Sequence, residues 1–564
     1  LVSIAHLSFS EIRKKLINSV DSCVDEALYG LVRASEGLSL LKGHRVVIRS
    51  DLDNLRGKVA LLSGGGSGHE PAHGGYVGAG MLSAAVAGGV FASPPPASIL
   101  AAILCLHNAG AAGVLLIVKN YTGDRLNFGL AAEQARNHGI TVDMVIVADD
   151  CAFDRPSKAG RRGLCGTVLI HKLAGALAEE GCPLDQIVLK MTEVLKRIGT
   201  LGVGLSPCSV PGCLPSFDLP PGDMELGLGI HGEPGIKRSK VASADEVVKL
   251  MIDQMTNPDS QSHLPLKSGD SVVVCVNNLG ALSCLEMGVV TRAAIICLEN
   301  QGVVVARVMS GSFMTSLEMA GVSLTLVRAN QETLRLFDAR TTALAWPHLS
   351  NVCVTGCRYI SDPPAMSTRP QDDSYSEGYI LKLQVCFTLL EKQEELNSLD
   401  RAAGDGDCGN THAQAARAIQ EWLQDHRVPG CPGKLLSVLA GLVQEKMGGS
   451  SGALYSLFLT AAAGHVTEEQ SSAAAWASAI HAGTEAMRRC GASACVGVLF
   501  ICLWAIMCLL TKRATLGAEG TCNLTAQAGR ASYIAAERLT LPDPGAVAVA
   551  ATLRAVLEVL EGQK

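Results

Sequence analysis

The sequence predicts two successive folds, an α/β half with ligand loops at strand ends and then an all-helical half. Three observations carry this. Up to about residue 350, short β-branched apolar runs alternate with Ala/Leu-rich helical stretches, as in layered sheet and helix. Residues 361–376 are polar and Pro-containing, which reads as an exposed connector. Beyond them strand signals nearly vanish. We therefore expect an α/β domain of two lobes over residues 11–360, a linker at 361–376 and an all-helical domain over 377–564.

Four strands stand out in the first half, each running into turn-forming residues. Val59–Leu62 leads into a glycine loop, Ser63–His69, and Gly113–Val118 leads into the loop Lys119–Asp124. Val142–Val147 leads into Ala148–Asp150, and Val272–Val276 into Asn277–Gly280. A Pro/Gly-rich passage, Pro207–Pro221, is expected to separate the two lobes. In the second half Ile380–Leu399, Ala413–Gln424, Lys434–Lys446, Ser471–Arg488 and Pro544–Leu560 read as helices. Asp543 is the expected N-cap of the last, with Pro544 at its first position.

Composition removes several function classes. The 47 basic and 53 acidic residues give a net charge of −6, and no basic block is present, which argues against a nucleic-acid partner. Twenty cysteines are spread along the chain without a CxxC pair, as expected for reduced thiols in the cytosol. No secretion-signal pattern opens the sequence. One run departs from this plain character. Ala494–Leu510 is 17 consecutive apolar or Gly residues, short of a comfortable membrane span. Helical-domain sequence lies on both sides, so a membrane role is not expected.

Several motifs remain as candidates for chemistry. His69-Glu-Pro-Ala-His73 spells HExxH, but Pro71 and the preceding glycines oppose the helix that zinc proteolysis requires. Gly448-Gly-Ser-Ser-Gly452 contains GxSxG, yet a helix rather than a strand precedes it. Small residues opening a helix suit phosphate binding instead, with a plain helix–helix turn as the alternative. Neither GxxxxGK[ST] nor GxGxxG occurs, which removes the P-loop and Rossmann readings. Asp400, Asp405 and Asp407 place three carboxylates in eight residues, suited to hard divalent cations that also hold phosphates, or else forming a solvated acidic turn. His231 sits among glycines in Gly227–Glu233, with an accessible ring.

Together these residues resemble the single-chain, ATP-dependent dihydroxyacetone kinase family over nearly the whole length. The motifs that carry the resemblance are Gly64–Pro71, Lys119–Asp124, Gly227–Glu233, Gly404–Gly409 and Gly448–Tyr455. It implies that His231 adds to the ketone carbonyl of dihydroxyacetone, fixing a substrate too small to be positioned by contacts alone. Gly66, Ser67, Gly68, His69, Lys119 and Asp124 match substrate-binding positions, with His69 and Asp124 handling the proton of the attacking hydroxyl. Asp400, Asp405 and Asp407 match Mg²⁺ ligands. Asp405, Gly406, Asp407, Cys408, Ser450, Ser451, Gly491, Asp543, Pro544 and Gly545 match nucleotide contacts. The implied reactions are ATP-dependent phosphorylation of dihydroxyacetone and D-glyceraldehyde, without a phosphoenzyme, and, as in animal members, cleavage of FAD to cyclic FMN and AMP with Mn²⁺ or another divalent metal. A helical barrel for the second half and a cytosolic homodimer are implied as well.

After Gly491 the sequence leaves the family pattern. The Gly-Asp-Lys/Arg-Thr-Met-Leu-Asp motif expected beside the adenine is replaced by Ala492–Leu510, and family-like sequence resumes at Gly529–Tyr533. We read the run as a splice-derived, intron-derived or gene-model segment. An alternative follows from it: a catalytically impaired chain that captures ketotriose without binding nucleotide.

Overall fold

The structure, a computed structural model, describes residues 14–156, 158–215, 217–357, 360–361, 379–402, 404–467, 472–490, 515–524 and 540–562. It forms two compact units, Leu1–Asp362 and Pro363–Lys564. Gly491, most of the linker, the apolar run and Gly529–Tyr533 lie outside the described residues.

The first unit is built on two six-stranded sheets. The first contains β1 (Leu38–Leu40), β2 (Val46–Arg49), β3 (Val59–Ser67), β4 (Ala84–Val90), β5 (Gly113–Lys119) and β6 (Val142–Val147), in the order β1-β2-β4-β3-β5-β6. Its β4-β3-β5-β6 core is parallel. Helices α2 (Pro96–Asn108) and α3 (Thr122–Asn137) pack on it, and α1 (Cys23–Arg33) packs at β1. The second sheet contains β7 (Ile198–Gly204), β8 (Asp223–Leu226), β9 (Lys237–Lys240), β10 (Ser271–Asn278), β11 (Val304–Gly311) and β12 (Gly321–Arg328). Its order is β11-β10-β12-β7-β8-β9, with β10 and β11 parallel and the other pairs antiparallel.

Between the sheets in sequence run α4 (Gly166–Glu179) and α5 (Leu184–Leu195). Helix α4 is buried along nearly its whole length, contacting β3, β5 and β7, and its polar His171 and Lys172 are buried with it. Its core includes Leu61 and Leu115 from the first sheet and Val273 and Cys275 from the second. The lobe boundary therefore falls at α4 and α5. Pro207–Pro221, expected to mark it, connects β7 to β8 within the second sheet, where prolines and glycines turn the chain back between antiparallel strands.

The second unit is helical throughout its described residues. Helices α9 (Tyr379–Glu391), α10 (Gln393–Arg401), α11 (Cys408–Asp425), α12 (Pro432–Lys446), α13 (Gly449–Ala463) and α14 (Ala473–Arg489) precede the C-terminal helix Pro544–Gly562. Helix α13 packs against α12 and α14, while α11 and the C-terminal helix both lie on α9. The expected helix Ile380–Leu399 is two helices breaking at Lys392 (φ −88°, ψ 4°), a site with no Pro or Gly to announce it. Helices α6 (Ala244–Thr256), α7 (Cys284–Asn300) and α8 (Gln331–Asp338) complete the first unit.

Candidate active sites

In the first unit, strand ends bring distant residues together. The expected glycine loop is strand through Ser67, because Gly64 leaves room for β4: a Cβ there would stand 2.2 Å from the Val86 carbonyl oxygen. His69 follows that strand and is fully buried. Its Nδ1 lies 2.8 Å from the Thr315 carbonyl oxygen, and its Nε2 3.1 Å from Nε2 of His231. His231 sits in the Gly227–Glu233 turn, where Glu233 accepts from both its backbone N–H (3.0 Å) and Nδ1 (2.9 Å). Burial disfavours the Glu233 carboxylate, but its hydrogen bonds and charge interaction with His231 prevail and hold it down at about 2.

The tautomers follow from these partners. A carbonyl oxygen only accepts, so Nδ1 of His69 carries a proton. Burial, with the charges of Lys119 and His231 adding, keeps His69 neutral, leaving Nε2 a bare acceptor. His231 donates through Nδ1 to Glu233, and its Nε2 faces the bare Nε2 of His69.

Around it lie groups the sequence did not announce. Phe91 stacks on His69 with ring centres 5.1 Å apart, and meets His231 edge-on at 5.0 Å. Tyr121 closes the other side of His231 at 4.7 Å. Arg162 donates to Asp150 (2.7 Å) and to the Gly227 carbonyl (2.6 Å), tying the His231 turn to the first sheet. Lys119 is the last residue of β5 rather than a loop residue, and Asp124 lies in the first turn of α3. Both are buried, with Asp124 accepting from Ser93. A Cβ on Gly65 would stand 3.2 Å from Nζ of Lys119 and 3.5 Å from Asp124 Oδ2, so the two groups converge over that glycine. Burial lowers the Lys119 pKa, opposed by the charges of Asp124, Glu233 and Glu70. Gly66, Ser67 and Gly68 complete the wall, the Gly68 N–H donating to Glu70 (2.9 Å). His69–Pro71–His73 is not helical, and His73 faces His171 while His69 faces His231. The HExxH string makes no shared site.

In the second unit Asp400 ends α10, and Asp407 is the residue before α11. Asp400, Asp405 and Asp407 each offer a carboxylate oxygen, all within 4.8 Å of one another. Asp400 also accepts from the backbone N–H groups of Asp407 (2.9 Å) and Cys408 (3.1 Å), which folds the loop back on α10. Three converging carboxylates with oxygen-only donors fit a hard divalent cation such as Mg²⁺ or Mn²⁺. Burial, with the charges of Asp400, Asp543 and Asp407, pushes the Cys408 thiol up to about 12. The charge of Asp543 also acts on Tyr455, which touches His412 of α11 with ring centres 5.7 Å apart. Tyr455 stands one turn after Ser451, so one region gathers the acidic loop, α13 and the start of the C-terminal helix. Gly448 (φ 64°) and Gly449 (φ 59°) take the left-handed backbone that turns the chain into α13, with Ser450 and Ser451 in its first turn. Asp543 accepts from the Ala546 N–H at 2.7 Å, a true N-cap, with Pro544 and Gly545 following.

The chain matches the Dak1 domain over residues 29–345 and the DAK2 domain over 402–497 and 503–558. It belongs to the dihydroxyacetone kinase family. The human protein named triokinase/FMN cyclase is 54% identical over 97% of this chain and 99% of its own length. Dihydroxyacetone kinase 2 of Saccharomyces cerevisiae is 34% identical over 96% of this chain and 98% of its own. The dihydroxyacetone kinase of C. freundii has been solved in native form and with AMP-PNP and Mg²⁺. Each structure matches with a TM-score of 0.64 at 34% identity, covering 97% of this chain and 100% of the other. Dihydroxyacetone kinase family sequence thus runs on both sides of the apolar run, with only 498–502 unmatched, and the impaired-chain alternative gains no support. Among the described residues no helix is long and apolar enough to cross a membrane, and the described cysteines are free.

Proposed function

We propose that this chain transfers the γ-phosphate of ATP to dihydroxyacetone and to D-glyceraldehyde, and that its nucleotide site also cleaves FAD to cyclic FMN and AMP. The single observation that carries the first reading is the His69–His231–Glu233 constellation in a buried aromatic box. The proposal assigns the triose to the first unit and the nucleotide to the second.

His231 first passes its Nε2 proton to Nε2 of His69, 3.1 Å away, and becomes a nucleophile oriented by Glu233. Addition to the ketone carbonyl forms a C–N bond and opens the C=O π bond, and the oxygen takes the proton from Nε2 of His69, giving a hemiaminal and returning His69 to its neutral form. Lys119 and the backbone of Gly66–Gly68 hold the triose oxygens. Asp124 and His69 then receive the proton of the hydroxyl that attacks phosphorus. In the second unit Asp400, Asp405 and Asp407 would hold Mg²⁺ for the kinase, or Mn²⁺ or another divalent ion for the lyase. Such an ion supplies neutralisation of phosphate charge. Ser450, Ser451, Gly406, Cys408 and the Asp543–Gly545 turn would line the nucleotide, with Gly491 carried over from the family motif. Support for ATP and Mg²⁺ is the relative solved with AMP-PNP and Mg²⁺, and support for the lyase is the FMN cyclase name of the human relative. Free thiols suit a cytosolic enzyme, and the resemblance adds a homodimer.

Two variants test this. His231→Ala removes capture of carbonyl-labelled dihydroxyacetone, read as loss of the hemiaminal carbon resonance. Asp405→Ala keeps capture and removes both nucleotide reactions. Unchanged phosphorylation by Asp405→Ala contradicts the metal assignment.

A further inference from the structure

On one face of β3 and β5, beneath Lys119, lies a set of polar side chains that the phosphorylation reaction does not use. Ser63 pairs with Ile117 along these parallel strands, and Leu61, Leu115 and Ile117 face the core around α4. Strand alternation puts Ser63 and Lys119 on that same face. His171 of α4 and His73 reach it from the other side, their rings 5.2 Å apart. Ser63, Lys119 and His171 are buried completely or almost so, and His73 is 6% exposed.

Hydrogen-bond accounting fixes both rings. Ser63 Oγ donates its only proton to the Ile117 carbonyl at 2.7 Å. It therefore accepts from Nε2 of His171 at 3.1 Å and from Nδ1 of His73 at 3.5 Å. Burial, then the charge of Lys119, keeps both rings neutral, His171 being lowered to about 3. His171 thus carries its proton on Nε2 and His73 on Nδ1. The remaining nitrogens, Nδ1 of His171 and Nε2 of His73, are bare acceptors without a hydrogen-bond partner, and the buried Lys119 ammonium is a donor without one. Two surplus acceptors and one surplus donor group share one patch. Left uncompensated, such groups cost stability; a cation and lone pairs on one patch attract through space, and the Lys119 charge reaches both rings.

We propose that His171 and His73, oriented by Ser63, are positioning residues for Lys119: their bare nitrogens stabilise the buried ammonium in its charged form and hold it facing the triose oxygens. This rests on Lys119 being a triose ligand. His171→Leu keeps volume while removing donor and acceptor, whereas His171→Gln restores an N–H toward Ser63 and an oxygen in place of Nδ1. The expected result is a KM for dihydroxyacetone raised about tenfold in the Leu variant, with kcat and the KM for ATP within about twofold, and recovery to within about threefold in the Gln variant. Lys119→Met is measured alongside. It raises the same KM, and adding His171→Leu to it changes the KM by less than about twofold, because the effect runs through the ammonium.

Independent multiplication of the two effects, or an unchanged KM in a folded His171→Leu protein, overturns the proposal. An unchanged KM in Lys119→Met instead overturns the triose-ligand reading, and the positioning role with it. Should His171→Leu not fold, Ser63→Ala releases the lock on both tautomers with little change in packing. It raises the KM about threefold if the proposal holds, and an unchanged value contradicts it.

Discussion

The His231 side chain works through what surrounds its two nitrogens. Glu233 accepts from Nδ1 and fixes the ring, and His69 faces Nε2. Glu233→Gln keeps the hydrogen-bond acceptor and loses the charge, so the attacking ring is less basic and its imidazolium less stable. We expect kcat to fall by about 10²-fold with folding intact, read by steady-state kinetics and circular dichroism. The carboxylate also links stability to pH. Its folded pKa, about 2, is below the ordinary value of 4.5, so its stabilisation is complete above about 4.5 and fades as pH falls through about 2. Acid unfolding followed between those limits should be shallower in Glu233→Gln than in the unsubstituted protein, and parallel curves would contradict the pairing. Other residues of the site were not legible beforehand. Phe91 and Arg162 carry no motif, Tyr121 lies inside Lys119–Asp124 without a role of its own there, and contacts such as His69 with His231, 162 positions apart, exist only once two sheets have met.

At the scale of elements, strand interiors were legible and their ends were not. Val59–Leu62 and Gly113–Val118 are strands because continuous apolar, β-branched runs suit a sheet covered on both faces. The glycines after Leu62 read as loop, since glycine normally weakens strands, yet here β4 approaches so closely that a side chain has no room. Gly64→Ala forces that contact apart. The expected loss is about 3 kcal/mol in urea unfolding, the upper part of the overpacking range. The caps of the second unit are ordinary by comparison. Asp543→Ala removes the N-cap bond to Ala546 and should cost about 1 kcal/mol. If nucleotide affinity falls as well, the same residue serves the nucleotide. The break at Lys392 shows the limit of periodicity: helical residues lie on both sides, and no Pro or Gly in the sequence marks where α9 ends.

For the whole molecule, two kinds of glycine-rich sequence serve two chemistries. In the first unit they bring strands and the His231 turn close together, and in the second they open a helix beside three carboxylates. The α/β-then-helical order was legible because the texture of the chain changes after the linker. The lobe boundary was not, since the Pro/Gly passage lies inside the second sheet and the true division is a buried helix, α4. If one metal-nucleotide site serves both reactions, ATP competes with FAD, and initial rates of cyclic FMN formation should show ATP raising the apparent KM for FAD without lowering the limiting rate. A mixed pattern would point to separate sites. The most direct measurement is formation of dihydroxyacetone phosphate by the purified full chain, with ATP and Mg²⁺ in excess. The account predicts multiple turnovers that stop when Mg²⁺ is chelated. A folded chain that captures dihydroxyacetone at His231 and yields no phosphorylated triose would contradict it.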